Sequence, residues 1–218
     1  VHPAVHGVVS NTPIDPFNLE NGGWYFYADK IKVPTLWDAA RKAGVTTGAV
    51  SWPVKVGAKI DFLIPEYRPV RTDEDEALMS AISTPGLFRE AEAAGKGQEP
   101  IMLDAWRAAA TIDILRVHQP RLMLLHFRGL DDAQHKYGPH TPESHTALEV
   151  LDGYIGRIRQ AVEENGGGKN TAWMIVSDHG FLAMTKQMNP MVALRDAGLI
   201  TTDATGKVTA WKVYPRNL

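Results

Sequence analysis

Aspartate and histidine recur in two tight groupings along this chain. Asp131 and His135 stand four residues apart, and Asp178 and His179 are adjacent. Carboxylate oxygen plus neutral imidazole nitrogen is a donor set suited to Zn²⁺ and related divalent cations. Side chains four residues apart can close on one ion when the backbone between them makes a turn. Neighbours on a straight strand point to opposite faces, so Asp178 and His179 can share a target only where the chain bends. Gly180 supplies a permissive backbone for that bend. Two such ions a few ångströms apart would form a clamp for a transferring phosphoryl group.

The remaining histidines have simpler explanations. Five of the eight lie between His118 and His145. His118, just before Pro120, suits a helix C-terminus, where the dipole favours a cation. His126 falls inside an apolar run and reads as a packed, hydrogen-bonded residue. His140 and His145 flank a helix start and read as solvated. Trp37 and Trp106 sit on apolar helix faces and read as core. An isolated Asp-His pair is ordinarily a surface turn, so the weight lies in two groupings occurring together, each after a buried-type strand.

Those strands belong to an alternating pattern. Thr35 to Ala43 reads as a short helix with Thr35 as N-cap, Asp38 completing a capping box and Gly44 as its stop. Val45 to Trp52 is rich in small and β-branched residues and reads as a strand ended by Pro53. Ile101 to His118 puts Leu103, Trp106, Ala110, Ile114 and Val117 on one helical face. Leu122 to Phe127 follows as a buried strand. Thr141 and Pro142 open a long helix whose Leu148, Leu151, Ile155, Ile158 and Val162 keep a three-to-four spacing, and Asn165 to Gly168 ends it. Ala172 to Val176 is apolar on both faces, as parallel strands under helices are. The order predicts an α/β fold, a mostly parallel sheet sandwiched by helices. In such sheets ligands sit beyond the carboxyl ends of the strands, where both groupings fall. Residues 83–100, where Gly86 and Gly95 to Gly97 flank a linker-like stretch, read as a surface insertion.

Composition narrows the function classes. With 23 Lys+Arg against 25 Asp+Glu over 218 residues, the chain has no basic field for gripping a nucleic-acid backbone. Cysteine is absent, which excludes disulfides, thiolate metal sites and cysteine nucleophiles. The longest apolar runs fall far short of the ~20 residues of a membrane-spanning helix.

Taken together, Asp131-Asp132-Ala133-Gln134-His135-Lys136-Tyr137-Gly138-Pro139 and Ser177-Asp178-His179-Gly180 resemble the type I phosphodiesterase/nucleotide pyrophosphatase family, within the alkaline phosphatase superfamily. Upstream, His6-Gly7-Val8-Val9-Ser10-Asn11 is similar to that family's His-Gly-Ile-x-x-Asn segment, with Asp15-Pro16 following. Ser51-Trp52-Pro53 matches the start of its Trp-Pro-Gly turn, with Val54 in place of the glycine, and Gln134 replaces the glycine usual before His135.

The resemblance implies an alkaline phosphatase-like fold and two Zn²⁺, with Asp131 and His135 as ligands of one ion and Asp178 and His179 as ligands of the other. It implies that Asn11 holds a phosphate oxygen and that Trp52 and Tyr67 line the pocket for the leaving group or base. The family nucleophile, a Thr or Ser, precedes the His-Gly segment. Residues 1–218 are therefore expected to be the central part of one catalytic domain, with no catalytic nucleophile of their own and the hydroxyl upstream of Val1. The implied activity is hydrolysis of a phosphodiester or pyrophosphate bond in a small ester or nucleotide, in a periplasmic or secreted protein. A superfamily phosphomonoesterase or phosphonoacetate hydrolase would share these ligand pairs. A non-catalytic fragment that binds metal or nucleotide is the alternative from a different class.

Overall fold

The computed structural model describes residues 1–13, 23–67, 70–98, 100–186 and 188–213, so Asp15-Pro16 lies outside the described residues. In chain order the elements are helix α1 (Pro3–His6), α2 (Leu36–Lys42), strand β1 (Thr47–Val50), β2 (Phe62–Ile64), α3 (Asp73–Ile82), α4 (Leu87–Ala94), α5 (Asp104–Val117), β3 (Leu122–Leu125), α6 (Gly129–Tyr137), α7 (Pro142–Glu164), α8 (Pro190–Asp196), β4 (Ile200–Thr202) and β5 (Val208–Trp211). Strands β2, β1 and β3 form a parallel sheet in that spatial order, while β4 and β5 pair antiparallel as a separate hairpin. The α/β class with a parallel sheet between helices is as the sequence predicts.

The central strand β1 is buried along its whole length, and alternation sorts its side chains onto two cores. Ala49, Leu63 and Leu124 meet Trp37 of α2 on one face. Val50 and Ile64 meet Met79, Leu87, Phe88, Ala91, Trp106, Ala110 and Ile114 of α3, α4 and α5 on the other. Thr35 and Asp38 form the expected capping box at the start of α2. Residues 83–100, read as a surface insertion, carry α4, whose Leu87, Phe88 and Ala91 are buried in this second core.

Two expectations are corrected. Leu103 and Val117 do not join the buried face of α5; they are 54% and 63% exposed. Leu103 is the N-cap, outside the helical repeat, and Val117 is the last helical residue. Between them α5 packs against α4, α7 and the sheet, so its buried set runs around the helix and takes in Arg107, Ala108 and Thr111. Ala172 to Val176 is not a strand. It carries no regular secondary structure and has no ladder partner among the described residues, and Met174 and Ile175 are 86% and 73% exposed. Apolar composition makes a strand only where a neighbouring strand takes up its backbone hydrogen bonds.

The turn after β1 is backbone-strained. Val54 has φ +55° and Ser51 φ +52°, in the left-handed region that disfavours β-branched side chains most. Val54 stands where the resembling family has glycine. Left-handed backbone costs an L-residue roughly 1–2 kcal/mol, and glycine's extra unfolded-state freedom returns about 0.5–1 kcal/mol of that. Val54→Gly is therefore expected to raise the unfolding free energy by about 0.5–1 kcal/mol, read as a higher urea midpoint at unchanged slope.

Next to it, Lys55 is buried with its Nζ 2.9 Å from the Trp37 ring centroid. Burial pulls its pKa from 10.5 to about 7, opposed in part by Asp38. Between these values the unfolded chain binds the proton that the folded chain has released. Stability should therefore rise with pH from about 7 toward 10, at up to roughly 1.4 kcal/mol per pH unit. Denaturation at pH 7 and pH 9 measures the rise, and Lys55→Met should flatten it.

Candidate metal site

Strand β3 hands its chain to the site. The His126 N–H donates to the Val50 carbonyl, the backbone turns at Arg128, and α6 begins at Gly129. The turn expected between Asp131 and His135 is a full helix, so their four-residue spacing puts both on one face. His135 Nε2 lies 3.5 Å from Asp131 Oδ1. His179, from the loop after residues 172–176, places its own Nε2 3.5 Å from the same oxygen. All three donor atoms lie within 4.8 Å of one another.

The far end of α6 is fixed as firmly. Gly138 ends the helix at φ +98°, ψ 160°, a conformation that only glycine adopts without strain. Its carbonyl accepts from Ser144 Oγ at 2.6 Å and Thr141 Oγ1 at 3.1 Å, so the Gly-Pro step is bolted to the first turn of α7.

The group has donors that could hold a divalent cation. Asp131 Oδ1 is sealed from solvent yet accepts no hydrogen bond among the described residues, although a buried carboxylate oxygen normally finds donors. His179 Nδ1 lies 3.3 Å from the Gly180 carbonyl. A carbonyl can only accept, so Nδ1 carries a proton, and Nε2 is the nitrogen turned toward Asp131 Oδ1. Zinc bonds to nitrogen and oxygen of about 2.0–2.1 Å set tetrahedral donor atoms about 3.3 Å apart. The two 3.5 Å separations match that spacing. The residues fit a divalent ion, with Asp131, His135 and His179 as its holders and outward space for further ligands, since the His135 and His179 side chains are about half exposed or more.

The expected site residues divide. Asp131, His135 and His179 come together. Asp178 borders them, its Oδ2 3.7 Å from His179 Nε2 and its side chain 82% exposed. The sequence pairs His179 with Asp178, whereas the structure also brings His179 to the Asp131 pair. Tyr67 packs on Phe26 at 4.6 Å between ring centroids and lines a cavity of about 430 Å³ with Met102, Arg107, Arg128 and Tyr154, beside the start of α6. Trp52 packs half-buried on the Trp37 core. Asn11 is exposed, its carbonyl accepting the Tyr25 N–H at 2.9 Å. His126 is half-buried, its Nδ1 without a hydrogen bond among the described residues and 3.7 Å from Glu66 Oε1. His118 caps α5, meets Glu90 at 2.9 Å and stacks on Phe62.

Two contributors escape the sequence reading. Phe181 presents its ring to both imidazoles, 4.8 Å from His135 and 5.1 Å from His179 between centroids, and so limits their swing. Its position directly after Ser-Asp-His-Gly is a usable signal. Asp104 bonds the backbone at the start of α6 from the first turn of α5. Nothing local to Asp104 in the sequence points to a segment 24 or 25 residues away.

Comparison with known proteins identifies a family. The model of the family described as type I phosphodiesterase/nucleotide pyrophosphatase aligns with residues 1–217. Human ectonucleotide pyrophosphatase/phosphodiesterase family member 1 is 22% identical over 83% of this chain, which corresponds to 17% of the human protein. An uncharacterised pyrophosphatase/phosphodiesterase of Schizosaccharomyces pombe is 24% identical over 83% of this chain and 33% of its own length. The chain thus spans a third or less of these relatives. A solved structure of phosphonoacetate hydrolase from Sinorhizobium meliloti overlays with a TM-score of 0.40 and 20% identity, covering 73% of this chain and 39% of that one.

Proposed function

The chain belongs to the type I phosphodiesterase/nucleotide pyrophosphatase family, and we propose on that premise that it forms the central part of a zinc-dependent hydrolase of phosphodiester or pyrophosphate bonds. The observation that carries the metal is Asp131 Oδ1, a sealed carboxylate oxygen without a hydrogen bond among the described residues and flanked by two imidazole nitrogens. Asp131, His135 and His179 hold one ion, and Asp178 contributes to a second on the open side of His179. When bound, such ions polarise the phosphoryl oxygens and favour the alkoxide of an attacking hydroxyl.

The chain's own residues do the rest. The α6 backbone, fixed at Gly138, keeps Asp131 and His135 in one geometry, and Phe181 restrains both imidazoles. The Asn11 side-chain amide is proposed to donate to a phosphate oxygen. The attacking group is proposed to be the Thr or Ser that the family pattern sets ahead of His6-Gly7. Tyr67, with its cavity of about 430 Å³, offers an aromatic wall for a planar leaving group or base. Trp52 is proposed to share that role from the neighbouring strand end. The substrate is a small phosphodiester or nucleotide, and a periplasmic or secreted location is proposed from the family. Among the described residues no helix is long and apolar enough to cross a membrane.

The experiment is to compare turnover of the whole protein on a chromogenic phosphodiester and on the monoester with the same leaving group, with zinc added and then removed by chelation. The proposal expects faster turnover of the diester and its loss on chelation. Faster turnover of the monoester would instead identify a phosphomonoesterase built on the same ligands.

A further inference from the structure

We infer that Asp104 is the residue that positions Asp131 and His135, acting through the backbone turn that starts α6. The inference rests on the metal-site reading above. No side chain of the Arg128–Gly129 turn caps α6, and a helix start leaves amides that need partners. They are met from another helix. Asp104, the first residue of α5, accepts from the Arg128 N–H at 3.0 and 3.2 Å through its two oxygens, and from the Gly129 N–H at 2.7 Å through Oδ2. Arg107, one turn along α5 and buried, donates from Nη1 to Asp104 Oδ1 at 3.4 Å and to the His126 carbonyl at 3.2 Å. One turn of α5 therefore grips His126 and Arg128 in the link between β3 and α6, and Gly129 at the start of α6.

The fit is close enough to constrain the sequence. A Cβ on Gly129 would lie 2.8 Å from Asp104 Oδ2, so glycine is what admits the carboxylate. A carboxylate at helix amides makes charge-assisted hydrogen bonds and lies at the favourable end of the dipole. Asp131 and His135 are both carried by the nine-residue α6. Any tilt at its first turn moves both donors, and metal sites tolerate only about 0.5 Å of such error.

The test uses the whole protein, with Co²⁺ as a visible probe of the site and amide hydrogen exchange of Arg128 and Gly129 measured without metal. Asp104→Ala and Gly129→Ala should each weaken Co²⁺ binding by about 10–100-fold and change the intensity of its visible bands. Both should speed exchange at the two amides. Asp104→Asn, which keeps one acceptor oxygen, should recover part of the affinity. Asp132→Asn removes an equal charge from the first turn of α6 and alters only the Arg128 Nε bond at 3.1 Å, leaving the Asp104 bonds to the two backbone amides in place, and should stay within about twofold of wild type. If Asp104→Ala does not fold, Gly129→Ala and Asp104→Asn carry the comparison. Wild-type Co²⁺ affinity and bands in folded Asp104→Ala or Gly129→Ala would overturn the inference, as would an equal loss in Asp132→Asn. Failure of the wild-type protein to bind Co²⁺ contradicts the metal reading, whereas unaltered exchange at Arg128 and Gly129 in the Asp104 variants contradicts the clamp, so the two failures are told apart.

Discussion

Asp131→Asn in the whole protein is expected to lower phosphodiester turnover by about 10²–10³-fold while changing the unfolding free energy by less than about 1 kcal/mol. The size follows from what the ion supplies. Lewis-acid stabilisation of phosphoryl charge is worth several kcal/mol, and each 1.36 kcal/mol is about a tenfold in rate. Asp131 Oδ1 is the atom that both imidazoles approach at 3.5 Å, so replacing the carboxylate removes the one anion common to the donor group. Asparagine keeps the shape, and because Oδ1 accepts no hydrogen bond among the described residues the change breaks none there. Bound zinc, turnover and the urea midpoint should be measured on one preparation. Full zinc content together with a hundredfold loss would move Asp131 from ligand to another role. Asp178→Asn, at the exposed rim, should lose one equivalent of zinc and leave the Asp131 site loaded.

The largest effect on stability is expected from Trp106→Ala, a loss of about 3–5 kcal/mol. Trp106 is 1% exposed at the centre of the core between α4, α5 and the sheet, with the Phe88 ring 5.7 Å away. Truncation opens a cavity that a parallel sheet and two packed helices cannot close. The indole Nε1 has no hydrogen-bond partner among the described residues, so Trp106→Phe removes no polar contact seen there and should cost far less than the alanine change. Urea unfolding of the two variants beside wild type measures the difference. Equal losses would show that the indole N–H, rather than ring volume, holds this core.

What could be read from the sequence followed from local rules. The Thr35–Asp38 capping box and the Thr141–Pro142 helix start depend on residues within one turn, and the structure has both. Strands β1 and β3 announce themselves as short apolar runs between turn residues. The four-residue spacing of Asp131 and His135 is itself a helix spacing, so their convergence was already present in the text of the chain. Other features depend on partners far away in sequence. Ala172–Val176 has the composition of a buried strand but no ladder to join among the described residues. Leu103 lies in register with the α5 stripe yet sits one residue before the helix begins. The grip of Asp104 on Arg128 and Gly129 exists only because a crossover brings α5 beside β3. The approach of His179 to Asp131, rather than to Asp178 alone, likewise depends on a loop path that no local pattern encodes.

The central claim is that Asp131, His135 and His179 hold one divalent ion. Anomalous diffraction at the zinc edge from crystals of the whole protein tests it most directly. The account predicts a peak about 2.0–2.2 Å from Asp131 Oδ1, His135 Nε2 and His179 Nε2 together. A zinc-loaded crystal with no peak among these three atoms, or with its peaks held by other residues, would contradict it.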